Sequence, residues 1–254
     1  SRGATRHITV LGDNFRRNKA VSSVGDDLVR KLAKFLGEPV PKQSVYPINL
    51  TLYSKGNAKK GVKFSTSVVP IESKGYSIEL VIDIREQIDK SIIEQGIMQA
   101  LVLERTMRSK PAVNKETKIK VPRWLSDGLV GAVHWKDEPT NKAVYNLLKL
   151  RPELYPVKQV LKTDENKMKE LGATRLDIYH ASATALVLSM QRQKGGKDSM
   201  AKMLSEVAVF EGEQEELFRR HFPTMNVGSR GLQKLWNLQL ADMSASRMLD
   251  TMTI

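Results

Sequence analysis

The chain has 254 residues, 41% of them hydrophobic and 27% charged, with a formal net charge of +13. That length and balance suit one large globular domain or two lobes sharing a cleft, and they exclude a disordered chain. There is no cysteine, which excludes disulfide frameworks, thiolate metal sites and cysteine nucleophiles.

In chain order, "HITVLG" (His7 to Gly12) predicts a short strand. "VSSVGDDLVRKLAKFLG" predicts a helix from Val21, with Val24, Leu28, Leu32, Phe35 and Leu36 as its apolar stripe and Gly37 as its stop. The two prolines of "EPVPKQ" mark a linker. In "YPINLTLYSKG", Ile48, Leu50 and Leu52 alternate with Asn49 and Thr51, the pattern of a half-buried strand. "VKFSTSVVPIESKGYSIELVID" predicts two more strands joined around Ser73-Lys74-Gly75, the second rich in β-branched residues.

A helix follows at once, "IIEQGIMQALVLERT" (Ile92 to Thr106). Its Gln95 and Gln99 stand at i and i+4 and so leave one face, on a stripe that Ile88, Ile92 and Leu103 continue. The polar stretch Arg108 to Lys120 predicts an exposed loop. "VPRWLSDGLVGAVHW" predicts a helix opening at Pro122. "RPELYPVKQVL" is expected to be a proline-punctuated connector. The rest is expected to be helical, with Met190, Met200 and Met203 packed between helices.

The basic runs are "RRNK" (Arg16 to Lys19), "KGNAKKGVK" (Lys55 to Lys63), "KETKIKVPR" (Lys115 to Arg123) and "RQKGGK" (Arg192 to Lys197), expected mostly in loops or at loop edges. They suit either a solvated surface or an anionic partner: nucleic acid, acidic lipid or acidic glycan. The few aromatic residues are not interleaved with them, as a base-stacking platform requires. No apolar run approaches the roughly 20 residues that span a bilayer.

Three motifs belong together. "QGIMQAL" (Gln95 to Leu101) has the frame of H-E-x-x-H-A-L. "PRWLSDGL" (Pro122 to Leu129) follows P-x-W-L-x-E-G-L with aspartate in the glutamate place. "YHASATALVLSM" (Tyr179 to Met190) is a helix led by tyrosine. In this order, after a sheet-containing segment, they resemble the gluzincin class of zinc metallopeptidases, particularly its bacterial peptidase-like domains. The resemblance implies an α+β, zincin-like fold, with a small mixed β-sheet lobe and its helices followed by an all-helical lobe, and a cleft between them. The lobes are expected at 1–108 and 109–254. It also implies a bacterial envelope or secreted setting, although no export signal is visible.

Carried over residue by residue, the resemblance implies a site without its chemistry. Gln95 and Gln99 stand in the places of the two histidine ligands, and an amide oxygen is a weak neutral donor for zinc. Gly96 stands in the place of the general base, so nothing there can take a proton from water. Asp127 keeps a carboxylate in the third-ligand place, and Tyr179 keeps the tyrosine. The expected cleft therefore holds Gln95, Gly96, Gln99, Asp127 and Tyr179, with no catalytic residue, metal or cofactor. Its amides could bond each other, Asp127, water or a peptide backbone, or be ordinary helix residues.

Other chemistry is thin. None of the four histidines pairs at i+3 or i+4. His134 lies two helical turns after Asp127, which admits a relocated metal ligand, though a lone histidine is more often packed. Ser126 and Ser182 lie outside any G-x-S-x-G, and "KGNAKKG" lacks P-loop spacing. Asp26-Asp27 and Glu213 to Glu216 suit helix N-termini. The expected function is a catalytically inactive, metallopeptidase-like protein that binds or scaffolds a protein or peptide partner. The alternatives are a basic module for an anionic polymer and an active hydrolase with unrecognised residues.

Overall fold

Alternation in the first half of the chain builds a sheet with one apolar face. The computed structural model describes residues 7–54, 63–71, 75–85, 89–110, 119–135, 142–225 and 229–245. Within them, strands β1 (Ile8–Leu11), β2 (Ile48–Tyr53), β3 (Phe64–Ile71) and β4 (Gly75–Asp83) form a mixed sheet in the order β1-β2-β4-β3. β1, β2 and β4 run parallel, and β3 pairs antiparallel to β4 at the edge.

The register places Ile8, Ile48 and Ile78 in line, with Leu50 beside Leu80 and Leu52 beside Ile82, and all of these are buried. The opposite face carries Asn49 and Glu79, whose side chains are joined by a 2.8 Å hydrogen bond, and Val81, which is exposed. Helices α1 (Phe15–Leu36) and α2 (Lys90–Ser109) cover the apolar face. Gly25 of α1 lets that helix approach closely enough that a Cβ there would stand 2.7 Å from Ile8 Cδ1.

α1 begins six residues before its predicted start. Asn14 is its N-cap, its side chain accepting a 3.0 Å bond from Arg17 N, and Asn18 donates from its amide to the Gly12 carbonyl. "RRNK" is therefore the first turns of a helix and not a loop. Asp26 and Asp27 accordingly lie in the middle of α1, where Asp27 pairs with Arg30 and Lys31. The stop is as expected: Gly37 adopts φ 72° and its N–H closes the helix on Ala33 and Lys34. The lysine-rich residues 55–62 and 111–118 and the turn at Ser73-Lys74 lie outside the described residues.

The second half is helical: α3 (Arg123–His134), α4 (Lys142–Leu150), α5 (Val157–Lys162), α6 (Glu165–Lys169), α7 (Ala173–Gln191), α8 (Gly196–Leu204), α9 (Gln214–His221) and α10 (Ser229–Ala245). The expected connector is itself helical, because Pro152 opens a 3-10 turn and Pro156 stands at the N-cap of α5. The chain is thus α+β, with a mixed four-stranded sheet followed by helices among the described residues.

It divides into two compact units, Ser1–Val121 with Ala201–Glu211, and Pro122–Met200 with Gly212–Ile254. In the first, the returning segment is tied to α2 and its sequel. Thr106 Oγ1 donates to the Leu204 carbonyl, Arg105 Nε to the Ala201 carbonyl, and Lys120 N to the Ala208 carbonyl. In the second, Trp124 and Leu125 are core residues as expected, Trp124 meeting Phe218 edge to face at 5.5 Å. Trp236 of α10 donates its indole N–H to the Ser182 carbonyl of α7 at 3.1 Å. Both indoles are buried, so each needs such a partner; for Trp124 it is the Gln214 side chain.

Candidate functional site

The five residues singled out by the motifs fall in both units: Gln95, Gly96 and Gln99 in the first, Asp127 and Tyr179 in the second. In the first unit, α2 is capped by Asp89, which accepts from Ser91 N at 2.8 Å. Gln95 is buried and Gln99 half-buried, while Leu103 is buried farther along the same stripe.

Gly96 faces the sheet. A Cβ at this position would meet Leu80 Cδ1 at 3.1 Å and the Phe64 ring at 3.4 Å. A side chain at the general-base place would therefore start toward apolar groups of β4 and β3. This opposes the gain in helix propensity that a glycine replacement otherwise brings.

At the other end of α2, Arg105 makes a two-pronged ion pair with Glu38 at 2.7 and 2.6 Å. The bond from Arg105 holds the Glu38 carboxyl below the usual carboxylate range. Buried Glu104 accepts from Val45 N at 3.0 Å and pins the approach to β2. These groups rim a cavity of about 540 Å³ walled by Leu32, Leu36 and Leu101.

In the second unit, Asp127 and Tyr179 come together where α3 packs on α7. The approach is close because α3 carries glycine on the contacting face. A Cβ on Gly128 would stand 2.5 Å from the Ala183 carbonyl oxygen, and one on Gly131 would stand 1.9 Å from Thr184 Oγ1. The Asp127 carboxylate, one residue from Gly128, is wholly buried. Arg123, one turn earlier, donates to its Oδ2 at 2.9 Å, and His180 Nε2 lies 3.9 Å from the same oxygen.

The Tyr179 hydroxyl is near enough to feel this charge, but neither it nor Asp127 Oδ1 completes a hydrogen bond among the described residues. Burial raises the Asp127 pKa, and the Arg123 charge opposes the shift first among the neighbours. Burial, then the Asp127 charge, raises the Tyr179 pKa well above the ordinary phenol value. On its far side the Tyr179 ring meets Tyr155 edge to face at 5.8 Å, and the Tyr155 hydroxyl bonds Thr163.

Chemically, this is a charge-compensated ion pair within α3, buried where that helix packs on α7. Its carboxylate is engaged by a guanidinium, the neighbouring Tyr179 phenol keeps its proton, and both are closed off from solvent. Arg123 and His180 were not singled out from the sequence, although the Arg123–Asp127 spacing of i, i+4 was a readable signal for the first. His134 is buried on α3. Among the described residues, no group of three or more His, Asp or Glu side chains is placed to hold a metal ion.

The donors that the motifs supply do not fit zinc. Two are neutral amides, and the third is a carboxylate already bound to arginine. No protein-family model matches the chain, and no curated protein matches it significantly.

Proposed function

We propose that this chain is a non-catalytic, gluzincin-like protein, with a zincin-like arrangement of sheet lobe and helical lobe, that acts by binding a protein or peptide partner. The observation that carries the reading is the state of Asp127. It is the one carboxylate left among the ligand places of the motifs, and it is buried against Arg123 with a 2.9 Å charge-assisted bond. A metal ion approaching the other oxygen, Oδ1, would have to lose its hydration to reach a carboxylate with no exposed surface and stand beside the Arg123 guanidinium, whose like charge opposes it. The general-base place supports the same reading, because Gly96 abuts Leu80 and Phe64 and offers no room for a carboxylate in a polar setting.

Hydrolysis of general peptide substrates with added zinc is the test. No turnover above background is expected, in the native protein and in Asp127→Ala alike. Turnover that Asp127→Ala or Tyr179→Phe abolishes would overturn the proposal.

A further inference from the structure

In the second unit, a shallow groove of about 650 Å³ runs between α5 and α10. Lys158, Arg230 and Lys234 line it and are exposed, and no carboxylate lines it among the described residues. Its floor is fixed by an amide relay: Gln233 Oε1 accepts from Val157 N at 3.2 Å, and Gln233 Nε2 donates to Asn237 Oδ1 at 2.9 Å. Amid the cations, Leu238 is 58% exposed. The chain that enters the groove at Pro156 carries Leu150, 78% exposed, and Leu154, 40% exposed, with exposed Lys149, Arg151 and one carboxylate, Glu153, beside and between them.

We propose that this face docks on an anionic lipid surface, with Lys158, Arg230 and Lys234 on headgroup phosphates and Leu238, Leu150 and Leu154 in the interfacial layer. Interspersed exposed leucines and basic side chains are the pattern that interfacial binding uses, apolar groups entering the acyl boundary while cations meet anionic headgroups. A protein partner fits less well, because lysine is depleted in the buried centre of protein interfaces. A single-stranded nucleic acid fits less well too, because no aromatic side chain lines the groove to stack a base, and the leucines would have no role. No helix among the described residues is long and apolar enough to cross a membrane. The proposal stands apart from the peptidase-like reading, and a zinc or turnover result would leave it untouched.

Sedimentation of the full chain with vesicles tests it. The protein is expected to pellet with vesicles of phosphatidylcholine containing phosphatidylglycerol and to stay in solution with phosphatidylcholine alone. The triple variant Lys158→Glu, Arg230→Glu, Lys234→Glu is expected to lose at least about a hundredfold in partitioning. Leu238→Ser should lose several-fold with its thermal melt unchanged. Should the triple variant not fold, Lys234→Gln and Leu238→Ser carry the comparison.

Absence of pelleting with anionic vesicles, or pelleting that no variant weakens, overturns the proposal. So does capture of a polynucleotide or polyglutamate through the same cations with no dependence on Leu238, which would make the groove a site for soluble polyanions.

Discussion

Arg123 Nε lies 2.9 Å from Asp127 Oδ2, and the carboxylate it holds has no exposed side-chain surface. Removing Arg123 strands a buried charge, whereas removing the charge of Asp127 leaves arginine, 14% exposed, closer to water. Arg123→Met is therefore expected to cost about 3 kcal/mol at neutral pH, and Asp127→Asn clearly less. Because burial raises the folded-state pKa of Asp127, the folded chain binds its proton more readily than the unfolded one. Stability then falls as pH rises from the ordinary aspartate range through the raised value, and part of the Arg123→Met loss should return on acidification. Urea unfolding of both variants at about pH 7 and about pH 5 checks this. An Arg123→Met loss equal at the two values would mean that the arginine does not act through the Asp127 charge.

The two glycines of α3 should respond differently to alanine. At Gly131 the obstacle is the Thr184 side chain, so Gly131→Ala should cost about 2 kcal/mol and be partly rescued by Thr184→Ala. At Gly128 the nearest obstacle is the Ala183 backbone carbonyl, so trimming Val187 to alanine should not rescue Gly128→Ala. A double-mutant cycle in denaturant measures both couplings. Equal rescue at the two positions would count against the close approach of α3 and α7.

At Gly96, alanine and glutamate should diverge. Alanine meets the end of the flexible Leu80 side chain, so its contact penalty is offset by helix propensity and the net change should stay within about 1 kcal/mol. Glutamate carries its carboxylate toward Leu80 and Phe64 and should destabilise by several kcal/mol. Thermal unfolding of the two variants gives the answer. If Gly96→Glu is as stable as Gly96→Ala, the position opens on solvent and the general-base place is roomier than the packing indicates.

The Glu38–Arg105 pair predicts an acid-dependent contribution. The folded-state pKa of Glu38 is lowered by Arg105, so the stabilisation is present above the ordinary glutamate range and is lost as pH falls through the lowered value. The Glu38 side chain is 36% exposed, which reduces the contribution to about 1 kcal/mol after solvent screening. Glu38→Gln should show that loss at neutral pH, and its stability should converge with the native protein once the pH has fallen below the lowered Glu38 value. A gap that persists in acid would assign the effect to packing.

The sheet was legible because its two faces differ chemically. Ile48, Leu50 and Leu52 alternate with Asn49 and Thr51, and that alternation is the burial pattern observed. The start of α1 was not legible, because the charged run Arg16 to Lys19 looks like a loop unless Asn14 is read as a cap. Helices α4 to α6 were hidden by Pro152 and Pro156, which break one helix and begin another. The return of residues 201–211 to the first unit is tied by side-chain bonds from Arg105 and Thr106 to the backbone carbonyls of Ala201 and Leu204, which no linear pattern shows.

At the candidate site, the neighbourhood of Asp127 and Tyr179 was expected from the motifs. The direction of Gly96 was not, because helical periodicity places a residue on a face without saying what covers it. The burial of the Arg123–Asp127 pair was likewise invisible, since the same i, i+4 spacing is common on exposed helices.

The most direct test of the non-catalytic reading is the zinc content of the purified protein after incubation with excess zinc and gel filtration, measured by elemental analysis. The account predicts no stoichiometric zinc, because two amides and an arginine-bound carboxylate make a poor donor set. About one zinc per chain, lost in Asp127→Ala, would contradict it.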